Sequence, residues 1–335
     1  MLLRTEIDNP ADFLPSFSHR NSFLSLGSCF AENISLKLQE MKFEILNMPF
    51  KTVFNPLSIG KNLMGSLQFE SKPEEEKFVQ WQNFYFHYDY HSTFHHQQKE
   101  VLSEKISLKH QEVRSFLARK PILLITLGTA WVYALKNQEK QNAWVANCHK
   151  QPSQQFEKVL LNIEEIVKSI TECYQTLIPL YAPDKPIIIL SVSPVRHTRD
   201  TLVLNNISKS ILRVACHQLA STFETIYYFP AYEILLDDLR DYRFYEPDLI
   251  HPNTMAIDYI WDYFLQHYFS TDTQHLLEKW SKVRKSLAHR PLLPDSQGYI
   301  NFLAHLEKEI QSFATFFSVE EELYLCEALK ANLGK

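Results

Sequence analysis

The stretch SFLSLGSCFAENISLKL, residues 22–38, places two potential nucleophiles, Ser28 and Cys29, side by side where an apolar run gives way to a helical pattern. Ala31, Ile34, Leu38 and Met41 follow at three- and four-residue spacing, the period of a helix with one buried face. A thiol in the first turn of a helix meets the partial positive charge of the backbone, which favours the thiolate. In the plainer reading Ser28 caps the helix and Cys29 fills a small apolar space. Far along the chain, DLIHPN at 248–253 carries Asp248 and His251 three residues apart, just ahead of a helix that Asn253 can cap. One short turn can hold both side chains, the carboxylate accepting from one imidazole nitrogen and leaving the other free as a base. A structural histidine bonded to Asp248 and packed on the last helix is the competing reading. A base of this kind opposite a thiol or hydroxyl is equipment for acyl transfer.

Other reactive types occur at strand ends. Arg196 and His197, in SVSPVRH (191–197), can bind an anionic or hydroxylated substrate, or form a surface loop paired with Asp200. His87, His91 and His95 recur every four residues and would share one face of a helix. Their segment is dense in aromatics and alternates, which favours a strand or hairpin, and no acidic or cysteine set completes a metal site. No metal is expected; His91 is placed instead to overhang the pocket. Cys148 and His149 are adjacent, so on an extended chain they point to opposite faces. Cys148 is kept as a secondary pocket residue rather than half of a dyad.

The elements that must position these groups read as strands at 22–27, 43–48, 121–128, 186–193 and 226–232, two of them continuously apolar. Such runs suit a parallel sheet covered on both faces. Helical patterns lie between them, at about 31–41, 101–118, 206–222 and 254–268. The clearest spans 154–178, with Phe156, Val159, Leu160, Ile163, Val167 and Ile170 on one face. This alternation predicts a doubly wound, three-layer α/β/α sandwich with a flavodoxin-like parallel sheet. Ligands then bind at the carboxyl ends of the strands, where Gly27-Ser28-Cys29, Gly128-Thr129-Ala130-Trp131, Arg196-His197 and Asp248–His251 all fall. The predicted domain covers 1–268, with an aromatic and histidine-rich insertion near 66–100. Residues 269–335 read as a helical extension, packed on the domain or used in oligomerisation.

Composition narrows the chemistry. Hydrophobic residues make up 45% and charged residues 22% of 335, close to an ordinary globular chain. No window approaches a membrane span, and the acidic N-terminus does not resemble a signal peptide, so the expectation is a cytoplasmic protein with no membrane partner. A net charge of −5 without a basic run leaves no footprint for nucleic acid. Five scattered cysteines form no CxxC pair, against a disulfide scaffold or zinc ribbon. There are only six glycines, far below the roughly 7% that is usual, so Gly27 and Gly128 are expected where backbone geometry demands them.

The layout resembles the SGNH (GDSL-type) hydrolases. It resembles more closely the GSCFA-domain family, a bacterial branch, through GSCFAENI (27–34), FNPLSI (54–59), DYHSTF (89–94), TLGTAWVY (126–133), ANCHKQP (146–152), SVSPVRH (191–197) and LRDYRFYEPDLIHPN (239–253). Laid without gaps on the SGNH first block, Cys29 takes the nucleophile position and Ser28 the place before it. Asp248 and His251 match the last block. Gly128, Thr129, Ala130 and Trp131 stand where the oxyanion-stabilising Gly-x-Asn-Asp block would be, and Asn55 is a substitute amide donor. The resemblance implies a hydrolase or acyltransferase, without cofactor, acting on ester-linked acyl groups of a small-molecule or carbohydrate substrate. Cys29, or Ser28, would attack and His251 would deprotonate it. The alternative is a non-catalytic SGNH-fold protein that binds a sugar or acyl ligand.

Overall fold

The computed structural model describes residues 5–8, 15–68, 73–136, 143–293 and 296–331. Strand β1 (Phe23–Gly27) runs directly into helix α1 (Cys29–Glu40), and β2 (Ile45–Asn47) follows. Helix α2 (Pro56–Leu67), which periodicity does not reveal, begins where the Asn55 side chain accepts from the Ser58 N–H. Pro56 opens it, a position at which a missing N–H leaves nothing unpaired. The aromatic, histidine-rich segment folds as the antiparallel sheet β3 (Phe78–Trp81), β4 (Phe84–His87) and β5 (His95–His96). This is the hairpin its alternation predicts; residues 69–72 of the expected insertion lie outside the described residues. Helix α3 (Lys99–Leu117) and strand β6 (Ile122–Leu127) come next.

The long helix read at 154–178 is two elements. A second antiparallel sheet is built from β7 (Trp131–Leu135), β8 (Trp144–Val145) and β9 (Phe156–Leu160), and only then does α4 (Ile163–Tyr181) begin. Phe156, Val159 and Leu160 match helical spacing by coincidence, yet they pair with Leu135, Val132 and Trp131 across the sheet. Asn162 sets the true start: its side chain accepts from the Glu165 N–H while the Glu165 carboxylate accepts from the Asn162 N–H. That reciprocal cap resolves an otherwise ambiguous run.

The chain continues through β10 (Ile188–Val192), α5 (Thr201–Thr222), β11 (Ile226–Tyr228), a short turn α6 (Ala231–Glu233) and α7 (Thr254–Tyr268). Among the described residues the central sheet has the order β2-β1-β6-β10-β11, and every pair in it is parallel. Leu24, Leu26, Leu123, Ile125, Leu190 and Val192 pack on one side with residues of α2–α5. Phe23, Ile122, Leu124 and Ile189 pack on the other with Phe30, Ile34 and Leu38 of α1 and Ile260 and Phe264 of α7. The result is the three-layer α/β/α architecture. Numbered within the sheet alone, the order is 2-1-3-4-5, the flavodoxin-like pattern whose crevice opens between the first and third strands, here β1 and β6.

Helices α8 (Thr271–Leu287), α9 (Gln297–Ser312) and α10 (Glu320–Ala331) have their own apolar cluster around Trp280, Leu303, Ile310 and Cys326. They dock on the far end of α1. The Trp280 indole donates to the Glu40 carbonyl at 3.1 Å and Arg284 pairs with the Glu40 carboxylate at 2.8 Å. Lys42 bonds Glu322 at 2.6 Å. A terminal carbonyl of α1, without a partner inside its own helix, is thus satisfied by the extension.

Candidate active site

Gly27 ends β1 with φ +128°, and a Cβ built there would lie 2.1 Å from the Thr126 carbonyl oxygen of β6. Only glycine lets the chain leave the strand this close to its neighbour. The next N–H, of Ser28, donates to the same carbonyl at 3.1 Å. Ser28 occupies the N-cap of α1, but its buried hydroxyl has no hydrogen-bond partner and makes no cap bond; the capping role read from sequence is therefore absent. Cys29 is the first residue of the helix, and the N–H groups of Cys29 and Phe30 favour its thiolate. Burial is the larger influence and raises the thiol pKa above its ordinary value, with Glu32 adding to the rise and Lys209 opposing it. On balance the site favours the thiol over the thiolate.

The second loop at the switch point is held by its own polar groups. The Gly128 N–H donates to the Phe54 carbonyl at 2.7 Å, and a Cβ at Gly128 would fall 2.8 Å from the Phe54 Cβ. The Thr129 and Ser208 hydroxyls bond at 3.0 Å, Thr129 accepts from the Trp131 N–H at 3.0 Å, and Ser208 accepts from the Ala130 N–H at 2.7 Å. The Trp131 indole donates to the Leu204 carbonyl, and the Lys158 ammonium lies 4.7 Å from its ring. Asn55 spends its amide locally, accepting from the Ser58 N–H at 2.8 Å and donating to the Ser58 hydroxyl at 2.9 Å. Asn55, Gly128 and Thr129 thus shape the loop, and the backbone N–H groups of the first α1 turn are the ones facing the sulfur. Thr129→Val removes a buried acceptor and donor together and is expected to cost about 1–3 kcal/mol of unfolding free energy, checked by denaturant titration.

The predicted Asp248–His251 pair forms as read. The His251 Nδ1–H donates to the carboxylate at 2.7 Å, and the Ile250 and His251 N–H groups donate to its other oxygen at 2.8 and 3.0 Å. These bonds hold the Asp248 pKa down at about 2. The His251 side chain remains 46% exposed. Its loop is tied to the end of β10 by the Arg196 N–H, which donates to the Ile250 carbonyl at 3.2 Å. The Arg196 guanidinium lies 4.1 Å from the Tyr245 ring and 5.2 Å from that of Tyr242. Asp200 pairs with Lys158, which corrects the expected pairing with Arg196 or His197. His197 packs on Phe54 with ring centroids 5.1 Å apart, and its N–H donates to the Asn205 side chain at 2.9 Å. Burial, reinforced by the charges of Lys209 and His251, lowers its pKa to about 4. Among the described residues no hydrogen bond joins His251 to Cys29 or Ser28.

Residues 22–264, from β1 into α7, match the GSCFA family, and residues 280–330 match the family described as GSCFA domain protein, C-terminal domain. The chain belongs to the GSCFA family. No curated protein matches it. The second match lies on the three helices that cap α1, and the first contains every candidate catalytic residue.

In this GSCFA domain one buried basic side chain escaped the motif reading. Lys209 of α5 is 1% exposed, and its ammonium donates to the Gly128 and Ser193 carbonyls, each at 2.7 Å. It also lines a cavity of about 160 Å³ with Pro194, Arg196, Asn205 and Tyr242. Asn205, Ser208, Lys209, Leu212, Cys216 and Leu219 are all buried, so the available signal was a lysine on the inward face of an amphipathic helix. Burial, with the charge of Lys51 adding and that of Glu32 opposing, lowers the His91 pKa, and its Nδ1 accepts from the Thr93 N–H at 3.3 Å. Cys148 packs against the cluster of Tyr88, Val145 and Phe156, and burial lifts its pKa to about 11. Among the described residues no cluster of three metal-ligating side chains occurs, and no helix is long and apolar enough to cross a membrane.

Proposed function

We propose that this GSCFA protein transfers or hydrolyses ester-linked acyl groups through a thioester on Cys29, with carbohydrate esters as the first substrate class to examine. The observation that carries this reading is the Gly27-Ser28-Cys29 turn at the β1/β6 switch point. There the thiol meets the first N–H groups of α1, which are unpaired within the helix and suit a developing oxyanion. The Asp248–His251 pair supports it from the same sheet edge. Its imidazole is fixed at one nitrogen and open to solvent on the other side. That placement suits a base for the incoming water or alcohol that releases the acyl group.

The test is peptide mass spectrometry after a brief, quenched exposure to an activated acetyl ester. The expected adduct lies on the peptide containing Cys29, persists in Ser28→Ala and is lost in Cys29→Ala. A specific observation favours a second reading: Asn55, Gly128 and Thr129 are engaged within the fold, as in a site kept only for binding. Thermal stabilisation by acylated sugars, with no adduct and no dependence on Cys29, would select the binding protein.

A further inference from the structure

The cavity of about 160 Å³ lies between the chain leaving β10, the first turns of α5 and the π-helical turn Ile234–Leu239. Its polar side chains offer donors. Lys209, 1% exposed, spends two N–H groups on the Gly128 and Ser193 carbonyls. An ammonium carries three donors and no acceptor, so one donor is left without a partner among the described residues. Asn205, 4% exposed, accepts from the His197 N–H through its Oδ1 at 2.9 Å, and its NH2 makes no bond among the described residues. The Arg196 guanidinium rests on the Tyr245 and Tyr242 rings and makes one long contact, to the Leu249 carbonyl at 3.5 Å. No aspartate or glutamate among the described residues lines the space. Buried donors without acceptors are costly, and cations this enclosed ordinarily face a carboxylate. Here that acceptor is missing from the protein.

We propose that this cavity seats an anionic group of the substrate, a carboxylate or phosphate carried on the alcohol portion of the ester, so that the preferred substrate is an acylated acidic sugar. This rests on acyl transfer as the reaction of the neighbouring site. The alcohol portion is the one indicated because the cavity adjoins the loop of the base. The Arg196 N–H donates to the Ile250 carbonyl at 3.2 Å, and His251 is the next residue. The oxygen that enters or leaves at that imidazole belongs to the alcohol. Size agrees with a compact group: a cavity of roughly 150 Å³ holds a benzene ring, so this one takes a single small ring or a charged head group and no extended chain. Tyr232 and Tyr242 line it as well, adding amphipathic aromatic surface against which a sugar ring can pack.

The carboxylates of the surrounding elements are committed elsewhere. Asp248 holds His251 at 2.7 Å, Glu233 pairs with Arg213 at 2.7 Å, and Asp200 pairs with Lys158. Asp241 lines an adjoining hollow that shares Arg196 and Tyr242, but its carboxylate bonds the Arg243 guanidinium at 3.0 Å and the Arg243 N–H at 2.8 Å. A planar guanidinium matches a carboxylate or phosphate through two parallel bonds, and stacking on two tyrosines restricts the motion it would lose on binding. An anion held there would also supply the acceptor that the Lys209 ammonium and the Asn205 NH2 lack.

The decisive measurement is calorimetric titration of the whole chain with glucuronate, glucose 6-phosphate and glucose. At least one of the two anions is expected to bind about tenfold or more tightly than glucose, the effect of one charge-assisted hydrogen bond, and the tighter of them says whether a carboxylate or a phosphate is the natural group. Arg196→Met should remove the preference. Equal binding of all three, no binding of either anion, or a preference that survives in Arg196→Met overturns the proposal. A second measurement needs no variant: modification of Arg196 by phenylglyoxal, read on its peptide by mass spectrometry, should slow in the presence of the preferred anion and not of glucose. Arg199, which is exposed and outside the cavity lining, is the internal control. Equal slowing at both arginines, or at neither, also overturns the site. Charge-selective binding without any acyl adduct would uphold the subsite and sink acyl transfer. Adducts on Cys29 without charge-selective binding would uphold acyl transfer and sink the subsite.

Discussion

Gly27→Ala is expected to lower the unfolding free energy by about 3–5 kcal/mol, seen as a lower denaturant midpoint at unchanged slope. Two penalties combine. The φ of +128° lies where side chains are rarely accommodated, and the new Cβ meets main chain rather than a movable side chain: the Thr126 oxygen at 2.1 Å and its nitrogen at 2.9 Å. Gly27 and Thr126 are direct partners in the parallel ladder, so relief requires β1 and β6 to separate. Separation would break the Ser28 N–H bond to Thr126 and move the Cys29 thiol with it. Adduct formation should therefore fall in whatever fraction remains folded. Gly298→Ala is the matched control, because its Cβ would meet nothing nearer than the Ser296 hydroxyl at 3.9 Å; in α9 the exchange should be neutral or mildly stabilising. Equal midpoints for the two variants would refute the steric account.

The sheet was legible because its central strands are buried on both faces and lack competing periodicity. Phe23–Gly27, Ile122–Leu127 and Ile188–Val192 are buried throughout, and a continuous apolar run bounded by glycine, proline or serine admits few other readings. The Asp248–His251 pair was legible for a different reason: its geometry is local, contained in one turn whose backbone N–H groups also bind the carboxylate. What failed was non-local. Phe156–Leu160 has helical spacing, and only its pairing with Trp131–Leu135 makes it a strand. Lys209 carries no motif, and its meaning comes from carbonyls 81 and 16 residues away in sequence. Asn55 and Thr129 looked like free donors because a sequence does not display the partners that occupy them. Polar satisfaction is a tertiary property, so candidate oxyanion donors are the part of a site most easily misjudged from spacing.

His251→Ala is expected to reduce turnover by about 10²- to 10⁴-fold, the usual contribution of a positioned acid–base group, while leaving the unfolding midpoint almost unchanged. The imidazole is nearly half exposed and packs into no core cluster, so its removal opens no cavity. The two half-reactions should respond differently. Acylation draws on the buried turn around Cys29, and the adduct should still form. Release of the acyl group needs a base on the solvent side, and the adduct should persist far longer than in wild type. Asp248→Asn should shift the same step, since an amide can present a donor to Nδ1 and favour the wrong tautomer. The wild-type carboxylate will not itself titrate over ordinary assay conditions. Its folded pKa of about 2 lies below the unfolded value of 3.8, so its hold on the histidine is fully present above the unfolded value and is lost only as the pH falls through about 2. Any acid limb well above that pH therefore belongs to another group. Wild-type turnover in His251→Ala would remove the imidazole from the mechanism. Loss of the adduct itself in that variant, with the fold intact, would instead move His251 to the thiol proton.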